Sequence, residues 1–119
     1  MTTTQPKPER GDVVLVLFPH SDLRTAKPRP ALVVQADELG TGLPQVIVAM
    51  ITSKTFRAKH PSRVFVELAS SDGEKSGLLT DSVVMTDNLA TIAYNVIDRG
   101  IGKLPMKAVD KALKHTLGL

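Results

Sequence analysis

Five short apolar runs, each closed off by residues that break regular structure, constrain this chain more than any other feature. The first, Val13 to Phe18 (VVLVLF), lies between Gly11 and Pro19. Ala31 to Gln35 (ALVVQ), Gln45 to Ile51 (QVIVAMI), Val64 to Leu68 (VFVEL) and Ser82 to Thr86 (SVVMT) follow, separated by Gly, Pro, Ser, Asp or Lys. Runs this short, rich in β-branched residues and bounded by turn formers, read as buried strands. Leu89 to Ala93 and Val96 to Ile101 are weaker candidates. Only the last segment changes period: Met106, Val109, Leu113 and Leu117 recur every three or four residues, the stripe of one helical face. Pro105 suits the first helical position and Gly118 a C-terminal cap. The pattern predicts a mainly β, α+β fold: a small, strongly bent antiparallel sheet or barrel closed by a C-terminal helix.

At 119 residues the chain has the length of one domain. Residues 1–9 are polar and carry Pro6 and Pro8, too little apolar surface to offset the entropy of ordering, so a disordered tail is expected there and a single domain over 10–119. No stretch approaches the about 18 uninterrupted apolar residues of a membrane span, and the N-terminus lacks the apolar core of a secretory signal. A cytoplasmic protein with no membrane partner is expected. Cysteine is absent, which removes disulfides and thiolate chemistry together. No His, Asp or Glu cluster has metal-ligand spacing either, so neither metal nor cofactor is expected.

Net charge is only +3, but its distribution is uneven. Between Pro19 and Arg63 seven cations stand against three carboxylates, while the rest of the chain holds eight against nine. The excess sits in two loops, around Arg24 to Arg29 and Lys54 to Arg63. These make one basic surface if the fold brings them together, and ordinary solvated surface if it does not. In the first loop Pro28 and Pro30 bracket Arg29 and push Lys27 and Arg29 toward extended conformations. A guanidinium held this way suits a phosphate, or it caps the sheet by pairing with Asp12, Asp22 or Asp81.

Gly11-Asp12-Val13-Val14-Leu15-Val16 with Phe18-Pro19, then Arg29-Pro30-Ala31-Leu32-Val33-Val34, resembles the opening of the MazF/PemK toxin family. Ile51-Thr52-Ser53, Asp81 to Asp87 (DSVVMTD) and Gly102-Lys103-Leu104 before the C-terminal helix fit the same family in order. The resemblance implies an SH3-like barrel of CcdB/MazF type, usually a homodimer. It also implies an endoribonuclease that cuts single-stranded RNA without metal and is held inactive by a cognate antitoxin. By position in the family motifs, Arg29 and Thr52 form the active centre, and the loop from Ser21 through Lys27 gates the RNA groove.

RNA cleavage by its own 2′-hydroxyl needs one proton removed, one supplied and the phosphoryl charge stabilised. Arg29 and Thr52 suit the last task. Asp22 is the nearest carboxylate, able to accept a proton or orient Arg29, or else to form a turn with Ser21. Ser21, Arg24, Lys27, Ser53, Lys54, Arg57 and Lys59 are candidate RNA contacts. His20 and His60 flank the basic loops and offer an imidazole pair. Two departures from the family pattern stand out: Asp22-Leu23-Arg24-Thr25-Ala26 replaces a glutamate and glycines, and Asn88-Leu89-Ala90-Thr91 lacks a frequent arginine. Aromatic residues are scarce, Phe18, Phe56, Phe65 and Tyr94, so Phe56 or polar base edges must supply base recognition. Two rival expectations remain open: a CcdB-like toxin that binds DNA gyrase, and a catalytically inactive interaction module of the same fold.

Overall fold

The computed structural model describes residues 7–19 and 26–119. In chain order the elements are β1 (Asp12–Pro19), β2 (Ala26–Val33), β3 (Gln45–Thr52), a 3-10 turn (Thr55–Ala58), β4 (Arg63–Val66) and α1 (Ser71–Ser76). They are followed by β5 (Ser82–Ala93), a second 3-10 turn (Tyr94–Val96), β6 (Ile97–Lys103) and α2 (Lys107–Leu117). The six strands form one sheet in the order β4-β5-β3-β2-β1-β6, with every neighbouring pair antiparallel. This is the antiparallel sheet with a C-terminal helix that the pattern predicts. The sheet stays open, because the edge strands β4 and β6 share no ladder among the described residues.

Both faces of the sheet are buried. Val13, Leu32, Ala49, Ile51, Val66 and Val84 form one core with Val109 of α2 and Leu104 before it. The alternate residues of the same strands, Val14, Val16, Ala31, Val33, Val46 and Val48, form a second core with Ile92 and Ile97. Among the described residues neither α1 nor α2 contributes to that second core; Tyr94 and Val96 of the second 3-10 turn pack against it, and bulges bend the sheet around it. The β1–β6 pairing shifts register twice, and the β3–β5 pairing shifts once, between Ala49 and Met50. That single shift lets the two runs predicted at Ser82 to Thr86 and Leu89 to Ala93 join into one bent strand.

Helix α2 begins two residues later than its proline suggests: Met106, not Leu104, holds the N-cap position, so Pro105 precedes the helix. Val109 and Ala112 are buried, and Met106 and Leu113 pack against the first core, whereas Leu117 is largely exposed. Gly118 caps the helix with a left-handed φ of 71°, and Lys114 and His115 complement the dipole in the last turn. Arg10, just before β1, is tied to this helix through an ion pair with Asp110, and its Nε donates to the Val34 carbonyl at 3.1 Å. Helix α1 escapes the sequence pattern because it is only six residues long. Its Ser70 oxygen accepts from the Gly73 N–H at 3.0 Å, and Gly77 ends it with a φ of 74°. Among the described residues no helix is long and apolar enough to cross a membrane.

Candidate functional site

The prolines of β2 decide where the sheet parts. The β1–β2 ladder runs without interruption through Leu15↔Pro30, Val16↔Arg29 and Leu17↔Pro28. A strand tolerates a missing N–H only on the side where no bond is needed, so the absent donors of Pro28 and Pro30 point toward β3. There the β2–β3 ladder stops at Ala31↔Met50, although β3 itself continues to Thr52. Continuing the register past that point sets Arg29 opposite Thr52. Residues directly opposite share a face, so both belong to the face of the second core, at the mouth of the gap.

The row extends across the sheet. Thr52 pairs with Val83 and Val83 with Phe65, which places these three in line, with Arg29 at the end of the row by the continued register. Arg29 and Lys27 are exposed. Two of the carboxylates that could have capped Arg29 are engaged elsewhere: Asp12 pairs with Lys103 at 3.0 Å, and Asp81 accepts from the Leu68 N–H at 2.8 Å. The pairing with Asp12 holds the Lys103 ammonium above its ordinary pKa, chiefly through their hydrogen bond. The Thr52 hydroxyl oxygen accepts the Lys54 N–H at 3.2 Å, which turns the chain out of β3 and leaves the hydroxyl hydrogen free to donate.

Beyond Thr52 the exposed Ser53 and Lys54 lead into the 3-10 turn, which packs on β4 and β5. Its rigidity has a clear source. The Arg57 N–H donates to the Lys54 carbonyl at 3.0 Å, and Arg63 Nη1 donates to the Arg57 carbonyl at 3.0 Å. Arg57 Nη1 reaches Met85 Sδ at 3.8 Å, and its guanidinium carbon lies 5.8 Å from the Phe56 ring centre. Lys59 is exposed just beyond. Arg63 is not a free cation of this surface, because its fork closes on Asp87 with bonds of 2.8 and 2.7 Å. Those hydrogen bonds hold the Asp87 carboxyl below its usual range, outweighing the opposing effect of burial, and raise the Arg63 guanidinium.

Thus Arg29, Thr52, Lys27, Ser53, Lys54 and Arg57 lie along one end of β2 and β3 and the turn that follows. Ser21, Asp22, Arg24 and His20 lie outside the described residues. His60 does not face the gap. Its Nδ1 accepts the Ser62 N–H at 3.0 Å, and its ring meets His115 of α2 edge-on, with centroids 6.0 Å apart.

The model of the family described as PemK-like, MazF-like toxin of type II toxin-antitoxin system matches residues 9–117. The chain belongs to this family. Endoribonuclease MazF6 of Mycobacterium tuberculosis is 35% identical over 107 residues, spanning 87% of this chain and 90% of the relative. Endoribonuclease MazF2 of Mycobacterium bovis aligns to the same extent. Among solved structures, Mycobacterium tuberculosis toxin MazF-mt6 superposes with a TM-score of 0.70 at 26% identity, covering 91% of this chain and 97% of that one. An endoribonuclease in complex with its cognate antitoxin, from a mycobacterial species, gives a TM-score of 0.74 at 23% identity. It covers 94% of this chain and 96% of its own, and at that identity the likeness speaks to the fold.

Within this MazF-like frame the sequence assigns no role to Val83 and Met85, although both lie in the Asp81 to Asp87 motif, and none of the kind seen here to Arg63 and Phe65. Arg63 counts as a loop cation by sequence but anchors the turn, and Phe65 joins the Thr52 row only through two strand pairings. Val64-Phe65-Val66 is apolar throughout and reads as a buried strand, so nothing in it singles out Phe65 as the half-exposed residue.

Proposed function

We propose that this MazF-like chain is the toxin of a type II toxin-antitoxin pair, an endoribonuclease that cuts single-stranded RNA at the gap between β2 and β3. The observation that carries this reading is the β2–β3 register, which stops at Ala31↔Met50 beside two prolines and, when continued, brings Arg29 opposite Thr52 on one face. Lys27, Lys54 and Arg57 supply cations beside it, suited to hold the backbone of a strand without reading its bases.

The chemistry follows from the two side chains. The ribose 2′-oxygen attacks the adjacent phosphorus and loses its proton. The bond to the 5′-oxygen breaks, and that oxygen takes up a proton, leaving a 2′,3′-cyclic phosphate and a 5′-hydroxyl. Arg29 stabilises the charge gathering on the phosphoryl oxygens through its planar fork, and Thr52 donates its free hydroxyl hydrogen to the same group. Arginine stays protonated at neutral pH, so its role is electrostatic. Asp22 is assigned to the proton of the 2′-hydroxyl or to the orientation of Arg29. Because the nucleophile is the substrate's own hydroxyl, the step calls for no metal.

Residues 10–119 act as one domain in the cytoplasm, as a homodimer whose groove the cognate antitoxin occludes. Incubating the purified protein with a long single-stranded RNA in EDTA tests the reading. Discrete fragments whose 5′ ends accept phosphate from a polynucleotide kinase without prior dephosphorylation are expected. Intact RNA in the presence of folded protein would remove the ribonuclease.

A further inference from the structure

An aromatic side chain left in water beside a row of cations is the feature that the chemistry above does not use. Phe56 is 77% exposed in the 3-10 turn, three residues after Ser53. The other aromatic side chains with described surroundings divide sharply. Tyr94 packs against the second core, whereas Phe65 is half-exposed at the far end of the Thr52 row, about 10 Å from Thr52 across two strand spacings. Lys54, Arg57 and Lys59 interleave with Phe56 along the turn. Arg57 of the same turn reaches the nearly buried Met85 of β5, so the turn is seated on the sheet while Phe56 stays in water. The bonds from Arg63 and to Lys54 fix the turn, and it presents the ring outward.

Building on the ribonuclease reading, we infer that Phe56 is a stacking platform for an unpaired base next to the scissile phosphate, and a determinant of which base is accepted there. Every base offers a π-face to a phenyl ring, and purines offer a larger one. Arg57, already within reach of the Phe56 ring, fits the edge of a base laid on it or its phosphate. A protein partner would also cover a phenylalanine, but the cations on both sides of this one match a polyanion whose bases are unpaired. The ring contributes apolar contact only, so its loss leaves the electrostatic part of binding intact.

The test uses the whole chain and a short oligoribonucleotide spanning a cut mapped with wild type, its scissile 2′-hydroxyl replaced by hydrogen so that binding is measured without cleavage. Phe56→Leu is expected to bind about 5- to 150-fold more weakly. The slope of log affinity against log salt stays unchanged, whereas Lys54→Ala flattens it by about 0.7. Replacing the adjacent base by an abasic site weakens wild type but not Phe56→Leu, because both changes remove one contact. The chain contains no tryptophan, so Phe56→Trp carries the only indole, and RNA should quench it on stacking. If wild type cleaves RNA while Phe56→Leu binds as tightly and keeps the full abasic penalty, the platform is refuted and the ribonuclease stands. If wild type neither binds nor cleaves RNA, the ribonuclease falls and the platform with it.

Discussion

Arg63 holds Asp87 in a two-pronged clasp, Nε to Oδ1 at 2.8 Å and Nη2 to Oδ2 at 2.7 Å, while its third nitrogen fastens the carbonyl of Arg57. One side chain thereby joins the bulge of β5 to the turn that carries the basic residues. Arg63→Ala should leave the core intact and loosen the turn. Cleavage is expected to fall through weaker RNA binding, and the urea midpoint to drop modestly at neutral pH because the clasp on Asp87 is lost with the side chain. A variant that unfolds, or one that binds RNA as wild type does, would contradict this role.

The same clasp sets an acid dependence. Asp87 has a folded-state pKa below its unfolded value of about 3.9, so the unfolded chain takes up the proton first. Its contribution to stability is complete above that value and disappears as pH falls through the lower, folded one. Asp87→Asn should therefore be less stable than wild type at neutral pH, with the gap closing below about pH 4. Urea unfolding at successive pH values reads the gap directly, and a gap independent of pH would exclude the clasp as its source.

Helix α2 is fastened by hydroxyls at its far end. The buried Thr86 donates to the Ser62 carbonyl at 2.7 Å and lies 2.7 Å from Thr116, which in turn lies 2.7 Å from the Ser62 hydroxyl. Thr86→Val keeps the shape and removes one member of this ring, at an expected cost of about 1 kcal/mol. Chemical denaturation measures it, and exchange of the last-turn amides of α2 should quicken.

Gly102 touches α1 so closely that an added Cβ would lie 2.3 Å from both the Lys75 carbonyl oxygen and the Ser76 carbonyl carbon. Both neighbours are backbone and cannot rotate aside. Gly102→Ala should destabilise the fold by about 3 kcal/mol, the upper end of what overpacking costs. A midpoint of denaturation equal to that of wild type would show that α1 is free to move off β6.

Much of this architecture is visible in sequence because burial on both faces of a sheet produces continuous apolar runs. Val13 to Phe18 and Gln45 to Ile51 match β1 and β3 to within a residue or so at each end. What escaped is instructive. Strand β2 starts at Ala26 rather than at Ala31, since Pro28 and Pro30 argue against a strand unless their missing N–H groups all point to one side, which alternation permits. Asp87 and Asn88 look like a break between two strands because a bulge and a loop share the same polar residues. The candidate site is legible in part for the same reason. Arg29 stands out beside its prolines, but its placement opposite Thr52 depends on a register that no single strand encodes.

The measurement closest to the central claim is single-turnover RNA cleavage in EDTA by wild type, Arg29→Ala, Thr52→Val and the double variant. Acting on one phosphoryl group, the two residues should each cost about 100- to 1,000-fold when removed, and the double variant should lose little more than the worse single one. Full activity in either single variant, or losses that simply multiply, would contradict a shared site at the gap between β2 and β3.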